Sequence, residues 1–186
     1  MISLWLMPQE IQYCQSMAKM AEIGGLSSIR KDNREQTLTA DQIVGQMGQY
    51  ALAMYLFGEP SRYYVQRLSS NLSPKIGDAG QDFLGANVDV KTSLMRGSMD
   101  ITTYRLAVRP NERHIDHVYY LALVKPNGET SLSIKENILV HIVGWALDGE
   151  LPAETNEKGT FSGAYTIMAS GLHEPAPIKW DWRKYA

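Results

Sequence analysis

Two aspartates and a lysine, Asp82, Asp89 and Lys91, are the residues whose types and spacing best suit chemistry in this chain. They lie in the run Gly77-Asp78-Ala79-Gly80-Gln81-Asp82-Phe83-Leu84-Gly85-Ala86-Asn87-Val88-Asp89-Val90-Lys91-Thr92-Ser93. With Gly85-Ala86 as a two-residue hairpin loop, glycine stands where a type II′ turn requires it. Leu84 is then expected to pair with Asn87, and Asp82 to fall directly opposite Asp89. Residues so opposed hold their Cβ atoms about 4.5 to 5.5 Å apart, a repulsive arrangement for two carboxylates unless a cation lies between them. The two-residue period of a strand puts Lys91 on the face of Asp89. Two acids and an amine converging on one spot suit hydrolysis of a phosphodiester. Their hard oxygen ligands favour Mg²⁺ or Mn²⁺, which polarises a phosphoryl oxygen and lowers the pKa of a bound water. The lysine orients that water or steadies the developing charge. Val90 is expected to add only its backbone carbonyl to the same ion.

The competing reading is a polar hairpin with charges on its solvated face, since Asp-x-Lys by itself is common. Three features argue for chemistry: the Asp78-x-Gly80-x-Asp82 turn, the apolar partners Phe83, Leu84, Val88 and Val90, and a glycine-bearing helix upstream. Asp78 itself is expected to close an Asx-type turn rather than to touch metal. Thr92 and Ser93 continue the strand, and a hydroxyl there either meets a phosphate or stays in the ladder.

The elements that must position these residues follow from periodicity. Pro8 to Ile23 reads as a helix with the apolar stripe Ile11, Cys14, Met17, Ala18 and Ala21, stopped by Gly24-Gly25. A second helix starts at the capping box Thr39-Ala40-Asp41-Gln42 and runs to Phe57, with Gly58-Glu59-Pro60 as its stop. Gly45 and Gly48 share one side of it at a cost in helix propensity of roughly 1 kcal/mol each, which predicts a close neighbour there. Ser61 to Lys75 is polar and partly helical or irregular. The period then becomes alternating. Strands are predicted over Gln81 to Leu84, Val88 to Met95, Ile101 to Val108, Val118 to Val124, Thr130 to Ile134 and Leu139 to Ala146, with Asn127-Gly128 as a hairpin signal and Ala164 to Met168 as a final short strand. The order is that of an α+β domain with N-terminal helices packed on a central mixed, mainly antiparallel sheet. One domain over 1–186 is expected: a helical part at about 8–70, sheet and hairpin at about 76–147, and a polar C-terminal segment at about 148–186.

Composition agrees with a folded domain: 44% hydrophobic, 20% charged. The single cysteine, Cys14, forms neither an internal disulfide nor a thiolate zinc cluster, which points to a reducing compartment. Met1 to Met7 lacks the layout of a secretory signal, and no apolar run spans a bilayer, so a cytoplasmic protein is expected. The net charge of -2 does not advertise nucleic-acid binding. The distribution is more telling, with six basic residues against three acidic ones between Lys91 and Lys125. Arg96, Arg105, Arg109 and Arg113 are candidates for phosphate contacts, and Arg62 and Arg67 beside Tyr63 and Tyr64 for a second contact region. His114, His117 and His141 have no ligand spacing, so zinc is not expected.

These pieces resemble the PD-(D/E)XK nuclease superfamily, which includes restriction, repair and phage nucleases. The resemblance is carried by the helix segment Gly48-Gln49-Tyr50-Ala51, the turn Asp78 to Asp82, the strand Asp89-Val90-Lys91-Thr92-Ser93, and Ile142-Val143-Gly144-Trp145-Ala146 followed by Asp148-Gly149-Glu150-Leu151. It covers Gly45 to about Leu151. It implies a restriction endonuclease-like fold, a Mg²⁺- or Mn²⁺-dependent deoxyribonuclease, metal held by Asp82 and Asp89, and Lys91 as the catalytic lysine. DNA is the implied partner, with Arg62, Arg67, Ser93, Arg96 and Arg105 as contact residues, and a homodimer is expected for double-strand cleavage. The departure is Gln49, where many members carry a glutamate as a further metal ligand. An amide binds Mg²⁺ more weakly because it brings no charge. Either one ion suffices, or Glu10, Glu22 or Asp78 substitutes, or the chain binds nucleic acid or protein without cleaving.

Overall fold

A computed structural model describes residues 1–23, 38–65, 82–83, 86–96, 99–127, 135–158 and 161–175. Their elements in chain order are β1 (Ile2–Leu6), α1 (Pro8–Ile23), α2 (Leu38–Phe57), β2 (Val88–Leu94), β3 (Arg105–Val108), β4 (Val118–Lys125), β5 (Ile138–Leu147) and β6 (Tyr165–Met168).

Proline at its first position and an acid in its first turn start α1 well. The Glu10 carboxylate accepts the Met7 amide at 2.7 Å, where the N-terminal dipole favours negative charge. Ile11, Cys14, Met17 and Ala18 form its buried stripe. Helix α2 is buried over most of its circumference, with Val44, Gln46, Met47, Tyr50, Ala51, Leu52 and Ala53 all shielded, as suits a helix inside the core. It begins at Leu38, so Thr39 lies inside the helix rather than at its cap. It stops as its sequence predicts: Gly58 takes a φ of 73° and returns its amide to Met54. A helical turn at 61–65 then buries Tyr63.

The four-stranded sheet has the order β1-β5-β4-β2. Its β1/β5 and β5/β4 pairs are antiparallel and its β4/β2 pair is parallel. The fold is therefore α+β with a mixed sheet. Strand β4 is buried along Val118 to Val124, which explains its unbroken apolar run. Helix α2 packs on the sheet face of Val88, Val90, Tyr120, Val124, Val140 and Ile142, and α1 packs on α2 in the same core. On the opposite face, Tyr119, Leu121, Leu123 and Ala146 meet Leu106 and Val108 of an antiparallel β3/β6 ribbon.

Several expectations change. The N-terminal segment, to which the sequence assigned no element, is an edge strand paired with β5. The expected strand Ile101 to Val108 is split. Asp100 accepts the Thr102 amide at 2.9 Å and caps a 3₁₀ turn over Ile101–Thr103, so extended structure starts only at Arg105. Gly48 has the close neighbour its glycine implied, but Gly45 has nothing within 4 Å of a Cβ added to it. The Gly24-Gly25 stop and the strand Thr130 to Ile134 lie outside the described residues, as do Gly128 of the Asn127-Gly128 turn and the Trp180 and Trp182 tail.

Candidate active site

Strand β2 supplies two of the three candidate groups directly. Its alternation sends Val88 and Val90 into the helix-side core and leaves Asp89 and Lys91 on the other face. The parallel register sets Asp89 beside Tyr119 and Lys91 beside Leu121. Asp89 is 7% exposed, and its Oδ2 stands 2.7 Å from Lys91 Nζ.

Asp82 reaches the same place by a different geometry from the one the sequence suggested. Phe83 pairs with Ala86, and the Ala86 amide donates to the Phe83 carbonyl at 3.1 Å. Asp82 is therefore not directly opposite Asp89. Its amide donates to the Val88 carbonyl at 3.0 Å. Its side chain then turns along the edge of β2, where Oδ2 accepts the Val90 amide at 2.6 Å and Oδ1 accepts from Gln49 Nε2. Val90 thus enters the described contacts of the site through its N–H. The Asp82 side chain nevertheless acts on Asp89 as a hydrogen-bonding neighbour that lowers its pKa.

Gln49 is delivered by close packing. A Cβ on Gly48 would overlap the Thr92 side chain, so the bare Cα lets α2 settle onto β2 and brings the next residue to Asp82. The carbonyl oxygen Oε1 of Gln49 is buried without a hydrogen-bond partner, as is the Thr92 hydroxyl. An unsatisfied buried acceptor costs roughly 1 to 3 kcal/mol, so its retention calls for a reason.

The electrostatics match this crowding. Burial raises the Asp89 pKa; Lys91 and the hydrogen bonds from Lys91 and Asp82 pull it down, Glu112 pushes it up, and the balance stays above the usual carboxylate value. Burial works to lower the Lys91 pKa, but attraction from Asp89 and Glu112 outweighs it and holds the ammonium charged. Lys91 therefore acts as a fixed positive charge and a donor rather than as a base.

One participant carried no sequence signal. Glu112, in a 3₁₀ turn over Pro110–Glu112, brings Oε2 to 3.1 Å from Lys91 Nζ. Only tertiary contact links it to the site; in the sequence it is one acid in a mostly basic stretch.

The oxygens that could serve a cation here are those of the two carboxylates and the amide oxygen of Gln49, whose Nε2 already donates to Asp82. Oxygen donors of this kind would suit Mg²⁺ or Mn²⁺. Among the described residues no group of three His, Cys, Asp or Glu side chains is placed to hold a metal. Of the acids weighed as substitutes for Gln49, Glu10 is bound to the Tyr50 hydroxyl at 2.9 Å and to the Met7 amide. Asp78 lies outside the described residues, and nothing is described of the Glu22 side chain.

The candidate phosphate contacts divide. Ser93 continues the face of Lys91 and is half-buried, while Arg96, Arg105 and Arg109 are exposed. Arg62 lies over the Phe57 ring at 4.8 Å, and Arg67 lies outside the described residues. Arg113 is held by Asp148 at 2.7 Å and lies over the Tyr165 ring. His114 and His117 stand with ring centroids 5.0 Å apart, and His141 bonds Ser3.

Compared with family models, with curated proteins and with solved structures, the chain matches none. None of the helices described is long and apolar enough to cross a membrane.

Proposed function

We propose that this chain is a metal-dependent DNA nuclease with a restriction endonuclease-like arrangement of helices and sheet. The reading rests on the convergence of Asp82, Asp89 and Lys91 at one edge of a mixed sheet, with a buried, unpartnered amide oxygen beside them. Two buried carboxyls beside a single ammonium leave negative charge in excess, which a divalent cation would offset.

In this mechanism Asp82, Asp89 and Gln49 Oε1 would hold the ion. Bound there, Mg²⁺ or Mn²⁺ supplies Lewis-acid polarisation of the phosphoryl group and a more acidic water. Lys91 presents a permanent positive charge next to the carboxylates, suited to orienting the attacking water and to steadying charge that grows on the phosphate oxygens. Ser93, Arg96 and Arg105 extend from the site as contacts to the DNA backbone, with Arg62 and Arg67 as a second region. Double-strand cleavage implies a homodimer, and the buried free thiol Cys14 suits the cytoplasm.

A second reading is a nuclease-like domain that binds nucleic acid or protein without cleaving. It is favoured by the amide at Gln49 and by Lys91, which holds the Asp89 carboxylate in an ion pair of its own. Plasmid and linear DNA incubated with the protein and Mn²⁺ decide between the two. Nicked, linearised or laddered product from the wild type, lost in Lys91→Ala, supports hydrolysis; intact DNA with retained binding supports the second reading.

A further inference from the structure

We infer that Glu112 is a positioning residue for Lys91: its carboxylate holds the ammonium in place when Asp89 is engaged elsewhere. The inference rests on the nuclease reading above.

Lys91 Nζ has two anionic partners, Asp89 Oδ2 at 2.7 Å and Glu112 Oε2 at 3.1 Å. They come from different parts of the chain: Asp89 sits on the same strand, Glu112 on the 3₁₀ turn that follows β3. Asp89 is also the group the proposed reaction needs for the cation. Once its oxygens turn to an ion, a lysine held by Asp89 alone would be released and repelled by that ion. Glu112 supplies an anchor outside the acid pair.

The anchor is itself fixed. The Glu112 side chain accepts the Arg109 amide at 3.5 Å, and the Glu112 amide donates to the Arg109 carbonyl at 2.9 Å, which ties the turn at both ends. Tyr119, next to Asp89 across the parallel register, holds the following segment: its hydroxyl accepts the His114 amide at 2.7 Å and lies 3.3 Å from the Glu112 and His114 carbonyls. The lysine, its counter-ion and the tyrosine bracing the turn thus form one connected unit. With side chains 22% and 24% exposed, Lys91 and Glu112 are shielded enough for geometry to matter yet open on one side to a substrate.

The test follows the ammonium directly. Lys91 Nζ protons are observed by ¹H–¹⁵N correlation in wild type, Glu112→Gln and Glu112→Asp, with and without Mg²⁺, and steady-state DNA cleavage is measured on the same samples. Thermal unfolding checks that each variant is folded. In wild type the Lys91 signal is expected to remain slowly exchanging when Mg²⁺ is added. In Glu112→Gln it should be lost on adding Mg²⁺, with kcat down roughly tenfold to a hundredfold and KM little changed, as for a misplaced catalytic group. Glu112→Asp should recover part of both. If wild type cleaves DNA while Glu112→Gln leaves both the signal and kcat unaltered, the role of Glu112 is overturned and the nuclease reading survives. If wild type does not cleave, the nuclease reading falls and the positioning role falls with it, whatever the exchange shows.

Discussion

The Asp82 carboxylate accepts the Val90 amide at 2.6 Å, taking the place along the edge of β2 that a backbone carbonyl fills in a regular ladder. The same carboxylate receives the Gln49 amide and adjoins Asp89, so one side chain joins the sheet edge, the central helix and the acid pair.

That triple duty separates two substitutions. Asp82→Ala strands the Val90 N–H and the Gln49 amide, and is expected to destabilise by roughly 1 to 3 kcal/mol in denaturant unfolding. Asp82→Asn keeps an oxygen for Val90 and offers an NH₂ to the orphaned Gln49 Oε1, so it should unfold within about 1 kcal/mol of wild type. It should lose the Mn²⁺-induced rise in Tm all the same. An undiminished metal response would remove Asp82 from the proposed cation site.

Asp89 gives a signed pH dependence. Burial is the main cause of its raised pKa, so the folded protein holds the Asp89 proton more tightly than the unfolded chain does. Its contribution to stability is full below the unfolded value and is lost as pH rises through the folded one. Asp89→Asn is therefore expected to melt above wild type at neutral pH in chelator, by a few degrees at roughly 2 to 4 °C per kcal/mol. The advantage should fade as pH falls into the ordinary carboxylate range. A melting advantage that grows on acidification contradicts this assignment.

Gln49→Glu restores an acid to α2. A third carboxylate beside Asp82 and Asp89 should lower Tm in chelator through like-charge repulsion and burial. It should also tighten Mn²⁺ binding, because a charged oxygen replaces a neutral one. Calorimetric titration and melting in matched buffers measure the two effects, and equal metal affinity in both proteins would place Gln49 outside the site.

The two glycines of α2 give opposite expectations. Gly48→Ala drives a methyl into Thr92 and should cost roughly 1 to 3 kcal/mol, recovered in part by Thr92→Ala. Gly45→Ala meets nothing and should gain up to roughly 1 kcal/mol from helix propensity. Chemical denaturation of the single variants separates them, and a harmless Gly48→Ala would refute the close approach of α2 to β2.

Local features of the chain were readable where one element decides the outcome. The stripe of α1, the Gly58 stop, β2, β4, β5 and the short β6 all follow from periodicity and turn chemistry, because those signals act over a few residues. The shared face of Asp89 and Lys91 is of this kind, since a strand of period two leaves it no alternative. Where two local signals compete, periodicity alone does not decide between them. The Asp100 cap replaces the first half of an expected strand, and the pairing of Phe83 with Ala86 changes the register of Asp82.

The sequence by itself determined an α+β chain with an acid, a valine and a lysine alternating on one strand, preceded by a helix whose glycines asked for a close neighbour. Only the tertiary structure decided which glycine had one, that β2 runs parallel to β4, that Asp82 turns along the sheet edge to the Val90 amide, and that Glu112 faces Lys91. These are contacts between segments far apart in the chain. Their energies depend on burial and on distance in space, and neither quantity exists until the helices and the sheet have packed.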